Sequence, residues 1–181
     1  PIMVDTNCPW TKDEARQILN SWEEYSLLWV EEPVNPPEDF ESLSNLRSDT
    51  LIPIAAGENA CTSFEFKKMF DAEAVDYAQP SVTKVGGITE FKKINHLAEV
   101  YGVQVMPHSP YFGPGFLATL HLAQSMPDPG LLERFFIEFE AYLYPKEIFN
   151  PKDGFFNTPD NIGLGFDPDI QVIKEYAIKT I

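Results

Sequence analysis

Cysteine is nearly missing. Cys8 and Cys61 are the only two in 181 residues, too few for a disulfide framework, and nothing else points to an oxidising compartment. No run of eighteen apolar residues and no signal-peptide pattern occurs, so no membrane-spanning helix is expected. Positive charge is scarce as well: 13 basic residues against 28 acidic ones give a net charge of −15. That balance argues against nucleic acid or an anionic membrane as the main partner. A glycine-rich phosphate loop after an early strand, the mark of a doubly wound nucleotide-binding sheet, is absent too. These absences leave a soluble, cytoplasmic protein acting on a small molecule as the expectation. A divalent cation suits such acidity better than a polyanion does, although most acidic charge is solvated surface.

What is present is a repeating pattern, set by Leu27-Leu28-Trp29-Val30-Glu31-Glu32-Pro33. Four apolar residues end in two carboxylates, and a proline then forbids further ladder pairing. A buried parallel strand that hands its carboxyl end to chemistry reads this way, and so, taken alone, does a solvated strand end. The event recurs. Ile2-Met3-Val4 ends in Asp5-Thr6-Asn7, the run 51–56 in Gly57-Glu58-Asn59, 75–78 in Gln79-Pro80-Ser81, and 103–106 in Pro107-His108-Ser109. A sixth strand is expected within 131–139, which contains Glu133 and Glu138, with Glu140 just beyond.

Helical patterns fill the intervals. Thr11 and Glu14 form a capping box ahead of Ala15, Ile18, Leu19 and Trp22, one apolar face. Pro36-Pro37 leads into a helix facing inward through Phe40, Leu43 and Leu46, and Thr62 with Glu65 caps Phe66, Met69 and Phe70. Phe91, Ile94, Leu97, Ala98 and Tyr101 precede a stop at Gly102, and Gly113-Pro114-Gly115 opens an apolar helix over 116–123. A last helix is expected with Asp167 as N-cap and Pro168 at N1, then Ile170, Ile173, Ala177 and Ile181.

The strand-end residues Asp5, Glu31, Glu58, Ser81, His108 and Glu133 lie 26, 27, 23, 27 and 25 residues apart. That is the repeat of a βα unit, and about six in a row make an α/β protein with a parallel sheet. In a (β/α)8 TIM barrel every strand's carboxyl end opens at one mouth, so side chains distant in sequence converge. Six units cannot close eight strands. The chain also opens inside a strand-like run, without an initiator Met, as a piece of a longer polypeptide would.

At such a mouth Asp5, Glu31 and Glu58 offer hard oxygen ligands suited to Mg²⁺, with polar strand caps as the plainer alternative. Without a cation, three such groups within a few ångströms cannot all stay ionised. His108 is the candidate acid or base, since imidazole titrates near neutral pH. His96 and His121 fall in helices. Asn7, Asn59 and Gln79 are candidates for binding substrate or orienting ligands. Cys8 has no basic neighbour in sequence to activate it. Lys84 reads as a loop anchor, and Glu32 as pointing away from Glu31 on the opposite strand face.

Five motifs, in order and spacing, resemble the mandelate racemase/muconate lactonizing enzyme family of the enolase superfamily. They are Val4-Asp5-Thr6-Asn7, Trp29-Val30-Glu31-Glu32-Pro33, Gly57-Glu58-Asn59, Lys84-Val85-Gly86-Gly87-Ile88-Thr89 and Pro107-His108-Ser109. The likeness extends to Gly163-Leu164-Gly165. It implies the C-terminal portion of a modified (β/α)8 barrel, with residues 1–145 as strands 3 to 8. Residues 146–181 would form a tail and helix packing back on the barrel or a capping domain. The first two strands and the N-terminal capping domain would lie outside this chain. It also implies Asp5, Glu31 and Glu58 as Mg²⁺ ligands, His108 as base or acid, and Glu133 as the eighth-strand glutamate, with Glu138 and Glu140 as alternatives. A homo-oligomer of the full-length protein is the implied assembly.

Two features depart from the family's pattern. Ser81 stands where mandelate-racemase-like members have an aspartate that orients the histidine, and it can hydrogen-bond but carries no charge. The family's Lys-x-Lys pair belongs to the second strand, and no Lys-x-Lys occurs here. The implied reaction is abstraction of the proton α to a carboxylate, with a cation neutralising the charge of the resulting enediolate. Dehydration, racemisation and cyclisation all follow from that intermediate, and a non-catalytic binding protein on the same scaffold is the competing expectation.

Overall fold

Short apolar runs, each followed by an amphipathic helix, build a parallel sheet in which sequence neighbours are also spatial neighbours. The structure, a computed structural model, describes residues 1–178. Strands β1 (Met3–Asp5), β2 (Trp29–Glu31), β3 (Ile54–Ala56), β4 (Tyr77–Ala78) and β5 (Gln104–Val105) pair in the order β1-β2-β3-β4-β5, all parallel. Helices α1 (Lys12–Trp22), α2 (Phe40–Asp49), α3 (Ser63–Asp71) and α4 (Ile88–Tyr101) supply the crossovers. An order without reversal is that of a barrel arc, since a doubly wound sheet changes direction at its switch point. No helix among the described residues is long and apolar enough to cross a membrane.

The chain divides into two compact units, Pro1–His108 and Ser109–Ile181, a division that falls inside the expected 1–145 span. In the first unit the sheet's two faces differ. Alternation puts Val30, Ile54, Ala78 and Val105 on one face, all buried. The crossover helices bury their own apolar stripes: Leu19 from α1, Leu43 and Leu46 from α2, Phe66 and Met69 from α3, Phe91 and Ile94 from α4. On the other face Trp29, Ala55 and Met106 form a second apolar cluster with Leu28 and Tyr77. The Trp29 and Tyr77 rings there stand 5.0 Å apart. β2 and β3 are buried on both faces, as parallel strands between two layers must be.

The local signals hold. Thr11 and Glu14 form a reciprocal capping box, Thr62 caps α3 through the Glu65 amide, and Gly102 ends α4 at φ 69°. In the second unit α5 (Pro114–Ser125) carries Pro114 in its first turn and buries residues all round. Its Phe116 and Leu117 pack with Tyr144 and Phe149 in an aromatic-rich core.

Two expectations change there. Among the described residues, 131–139 forms no strand. Its side chains are committed to local tethers instead: Arg134 Nε donates to Phe149 O at 2.8 Å and Nη2 to Asn150 Oδ1 at 2.9 Å. The last helix, α6 (Ile170–Tyr176), is capped by Asp169 rather than Asp167, with Pro168 outside it. Asp169 Oδ1 accepts from the Gln171 amide at 2.8 Å, a bond that Asp167 is two residues too early to make for this start. Ala177 lies just past the helix, and Ile181 lies outside the described residues.

Gly57, at φ +137°, turns the chain from β3 into the loop bearing Glu58, and an added Cβ would stand 2.9 Å from Phe66 Cε1 and 3.0 Å from Gln79 N. Gly57→Ala is therefore expected to cost roughly 2–4 kcal/mol, from overpacking plus backbone strain. A urea titration reads it, and an unchanged midpoint would show that the turn relaxes without cost.

Candidate active site

The apolar cluster of Trp29, Ala55 and Met106 gives way at the strands' carboxyl ends to ionisable side chains. Asp5 ends β1 in register with Glu31, which ends β2 on the same face as Trp29. Glu58 follows the Gly57 turn, and His108 lies two residues past Met106, returning to the same face. Glu31, Glu58 and His108 each offer a ligand atom, and the three atoms lie within 4.8 Å of one another. Glu31 and His108 are buried and Glu58 half-buried, so the group sits where charge is costly unless answered.

Glu58 is answered twice. His108 Nδ1 lies 3.0 Å from Glu58 Oε2, and Lys84 Nζ donates to Oε1 at 3.1 Å. The His108 ring, aided by Lys84, holds the Glu58 carboxyl at about 2 against an ordinary 4.5, although burial pulls the other way. Lys84 is thus more than the expected loop anchor. The turn that carries it is fixed by the Ser81 carbonyl, which accepts from the amides of Lys84 at 3.0 Å and Val85 at 2.9 Å. The Ser81 side chain is fully buried and shares a 2.9 Å hydrogen bond with the Thr83 hydroxyl.

Asp5 is exposed and braced by Asn7, whose amide donates to Oδ1 at 3.0 Å and whose Nδ2 donates to Oδ2 at 3.1 Å. Asn59 Nδ2 donates to Glu32, 2.9 Å from Oε2 and 3.1 Å from Oε1. Asn7 thus donates to an expected ligand, Asp5, whereas Asn59 donates to Glu32, which is not one. Gln79 is buried after β4, and its Oε1 has no donor among the described residues.

The three glutamates of the second unit differ. Glu133 is half-buried and accepts from the Ser109 amide at 2.9 Å, the residue after His108. Glu138 is exposed and pairs with Lys146 at 3.1 Å, while Glu140, also exposed, meets the Tyr176 hydroxyl and raises its pKa.

Sequence reasoning missed Glu32. It is 3% exposed, not a solvated strand end, and its φ of 43° breaks the strand alternation that placed it. Burial pushes its carboxyl pKa up, with the charges of Glu58 and Asp5 adding to the rise and hydrogen bonds from Cys8 and Asn59 opposing it. Cys8, 3.2 Å from Glu32 Oε2, has its thiol pushed up to about 12, first by burial and then by that carboxylate. Neither influence activates it as a nucleophile. The donor set fits a hard cation: carboxylate oxygens and one imidazole, negatively charged and pressed together over an apolar floor.

A family model described as "Enolase C-terminal domain-like" matches residues 1–172. The chain is 34% identical over 171 residues to the D-galactonate dehydratase of Ralstonia nicotianae, covering 89% of this chain and 44% of that protein. Among solved structures, the 3,6-anhydro-D-galactonate cycloisomerase of Zobellia galactanivorans superposes with a TM-score of 0.87 at 33% identity, over 96% of this chain and 49% of that one. The L-talarate dehydratase of Polaromonas sp. JS666, solved with Mg and L-glucarate, gives a TM-score of 0.68 at 33% identity, over 75% and 36%. The chain spans less than half the length of the curated relatives it matches.

Because the Glu58 pKa is depressed on folding, its contribution to stability is complete above about 4.5 and is lost as pH falls towards 2. In chelator, the stability gap between the parent and Glu58→Gln should therefore be widest above pH 4.5 and close as the pH drops to about 2. Denaturant titrations at a series of pH values check this, and a gap independent of pH would separate Glu58 from its cationic partners.

Proposed function

The chain belongs to the enolase C-terminal domain-like family, of the mandelate racemase/muconate lactonizing enzyme type, and on that premise we propose that it carries the metal and acid–base half of an enzyme acting on an acid-sugar carboxylate. The observation that carries this reading is the convergence of Glu31, Glu58 and His108 at one rim of the parallel sheet. In this reading Asp5, Glu31 and Glu58 hold Mg²⁺. A cation held there would supply positive charge to offset the negative charge that develops on a substrate carboxylate once its α-proton leaves.

The chain's own residues divide the remaining work. His108 moves the proton: its Nδ1 lies 3.0 Å from Glu58 Oε2, and Nε2 is the nitrogen this reading assigns to the reaction. Lys84 keeps Glu58 ionised and turned towards the rim. Glu133 fixes the backbone at Ser109, the residue just past His108. Glu138 and Glu140 are left as surface charges. The apolar floor of Trp29, Ala55 and Met106 excludes water from below and strengthens each of the interactions above it. The compartment is cytoplasmic in this reading. Loss of a β-hydroxyl as water is the favoured outcome over racemisation or cyclisation, because acid sugars place a leaving group next to the carbanion.

The test is proton exchange at Cα. Full-length protein is incubated in D₂O with Mg²⁺ and a panel of acid sugars, and deuterium incorporation and dehydration products are followed by NMR. Exchange should occur with at least one of them and fall roughly 10²–10⁴-fold in His108→Asn, the contribution typical of a positioned base. Undiminished exchange in His108→Asn would assign the base elsewhere. No exchange with any acid sugar would favour a non-catalytic carboxylate-binding protein, the reading that the uncharged Ser81 supports.

A further inference from the structure

Resting on the reading that Asp5, Glu31 and Glu58 hold the cation, we propose that Glu32 is a positioning residue whose buried carboxylate ties together the ends of β1, β2 and β3 and so fixes the spacing of those three ligands. The connections run from each ligand's own neighbourhood. Glu32 adjoins Glu31. It accepts from Asn59, which adjoins Glu58, at 2.9 and 3.1 Å. It accepts from Cys8, three residues past Asp5, at 3.2 Å. One carboxylate thus reaches the segments that bear all three ligands.

The backbone repeats the connection. Cys8 N donates to Glu32 O at 2.7 Å, Thr6 Oγ1 donates to the same carbonyl at 3.0 Å, and Glu32 N donates to Ala55 O at 2.9 Å. Asn7, Cys8 and Glu32 hold φ values of 53°, 54° and 43°, a left-handed region that asparagine enters readily but that is costly for Cys8 and Glu32. Those turns take both segments off the strand path, bringing Cys8 against Glu32.

A carboxylate is a costly choice for this place. Glu32 is 3% exposed and shares its surroundings with the negative charges of Glu58 and Asp5. For packing alone, a neutral side chain of the same length would serve at lower cost. A charged acceptor instead makes stronger bonds to both neighbours, and its field adds to the attraction for a cation. Partners of this kind behind metal ligands typically carry roughly 10–100-fold in affinity.

Mn²⁺ binding, titrated by EPR on the full-length protein, separates the tether from the ligand reading. Four variants are compared with the parent: Glu31→Gln, Glu32→Ala, Glu32→Gln and Asn59→Ala. Asn59 is itself exposed, so Asn59→Ala should keep the fold, with a melting temperature lowered by the donor lost from the buried Glu32 carboxylate, while weakening Mn²⁺ roughly tenfold. That variant leaves the Glu32 charge in place and so reports on positioning rather than field. Glu32→Ala should lose at least as much, and Glu32→Gln, which keeps one acceptor oxygen for Asn59, should recover part of the loss. If Glu31→Gln loses affinity while Asn59→Ala and Glu32→Ala match the parent, the tether is wrong and the ligand reading stands. If the parent binds no Mn²⁺, or Glu31→Gln binds as the parent does, the ligand reading is wrong and the tether falls with it. Should Glu32→Ala fail to fold, Asn59→Ala decides alone.

Discussion

The charge on Glu58 is the constraint to which the rest of the site answers. A half-buried carboxylate over an apolar floor, near Glu31 and Glu32, would be protonated or driven outward if nothing opposed its charge. His108 and Lys84 supply the opposition from two different places, the end of β5 and the turn after β4. The parallel sheet is what makes this possible. Because every strand ends on the same side, Lys84, 26 positions along the chain from Glu58, needs only a short turn to reach it. The same holds for Cys8 and Glu32, which meet across 24 positions. Fold and electrostatics are in this sense one arrangement: the order of the strands sets which charges meet.

Much of this is legible in the chain, for definite reasons. Strands ending in Asp5, Glu31, Glu58 and His108 can be read because apolar runs stop abruptly at ionisable residues, and a parallel register then puts those ends on one line. Helix starts at Thr11 and Thr62 can be read because capping is a local bond between residues three apart. The role of Glu32 cannot. It depends on a φ of 43° that strand alternation does not anticipate, and on partners 24 and 27 residues away. Lys84 escapes for a similar reason, since a residue three beyond a strand end reaches the rim only if its turn folds back. The start of α6 slips by two residues because both Asp167 and Asp169 are capping types, and tertiary contact chooses between them: the Asp169 amide donates to Leu143 O at 2.8 Å.

The absence of a strand over 131–139 follows from the same physics. The run has the apolar content of a strand, yet a strand is completed by a ladder partner and not by composition. Here Glu133 binds the Ser109 amide, Arg134 binds Phe149 and Asn150, and the Phe139 amide meets the Tyr142 hydroxyl at 3.1 Å. The side-chain bonds do not occupy a ladder, but the Ile137 amide is already spent on Phe135 O at 3.0 Å and the Phe139 amide on Tyr142, so part of the backbone is paired locally. Phe135, Phe136 and Phe139 remain exposed as a result.

Gly57 shows how closely packing and chemistry are joined at the rim. A side chain there would collide with the Phe66 ring of α3 and with the backbone of Gln79 beyond β4, so the helix layer, the fourth strand and the Glu58 loop meet at one point that tolerates no Cβ. Phe66 is fully buried, and its position is set by the core rather than by the site. Any shift of α3 is therefore felt at Gly57, one residue from the carboxylate that His108 and Lys84 hold. A rigid core of this density transmits displacement instead of absorbing it. The precision required of a charged cluster is thus supplied from beneath, by apolar contacts that take no part in the chemistry.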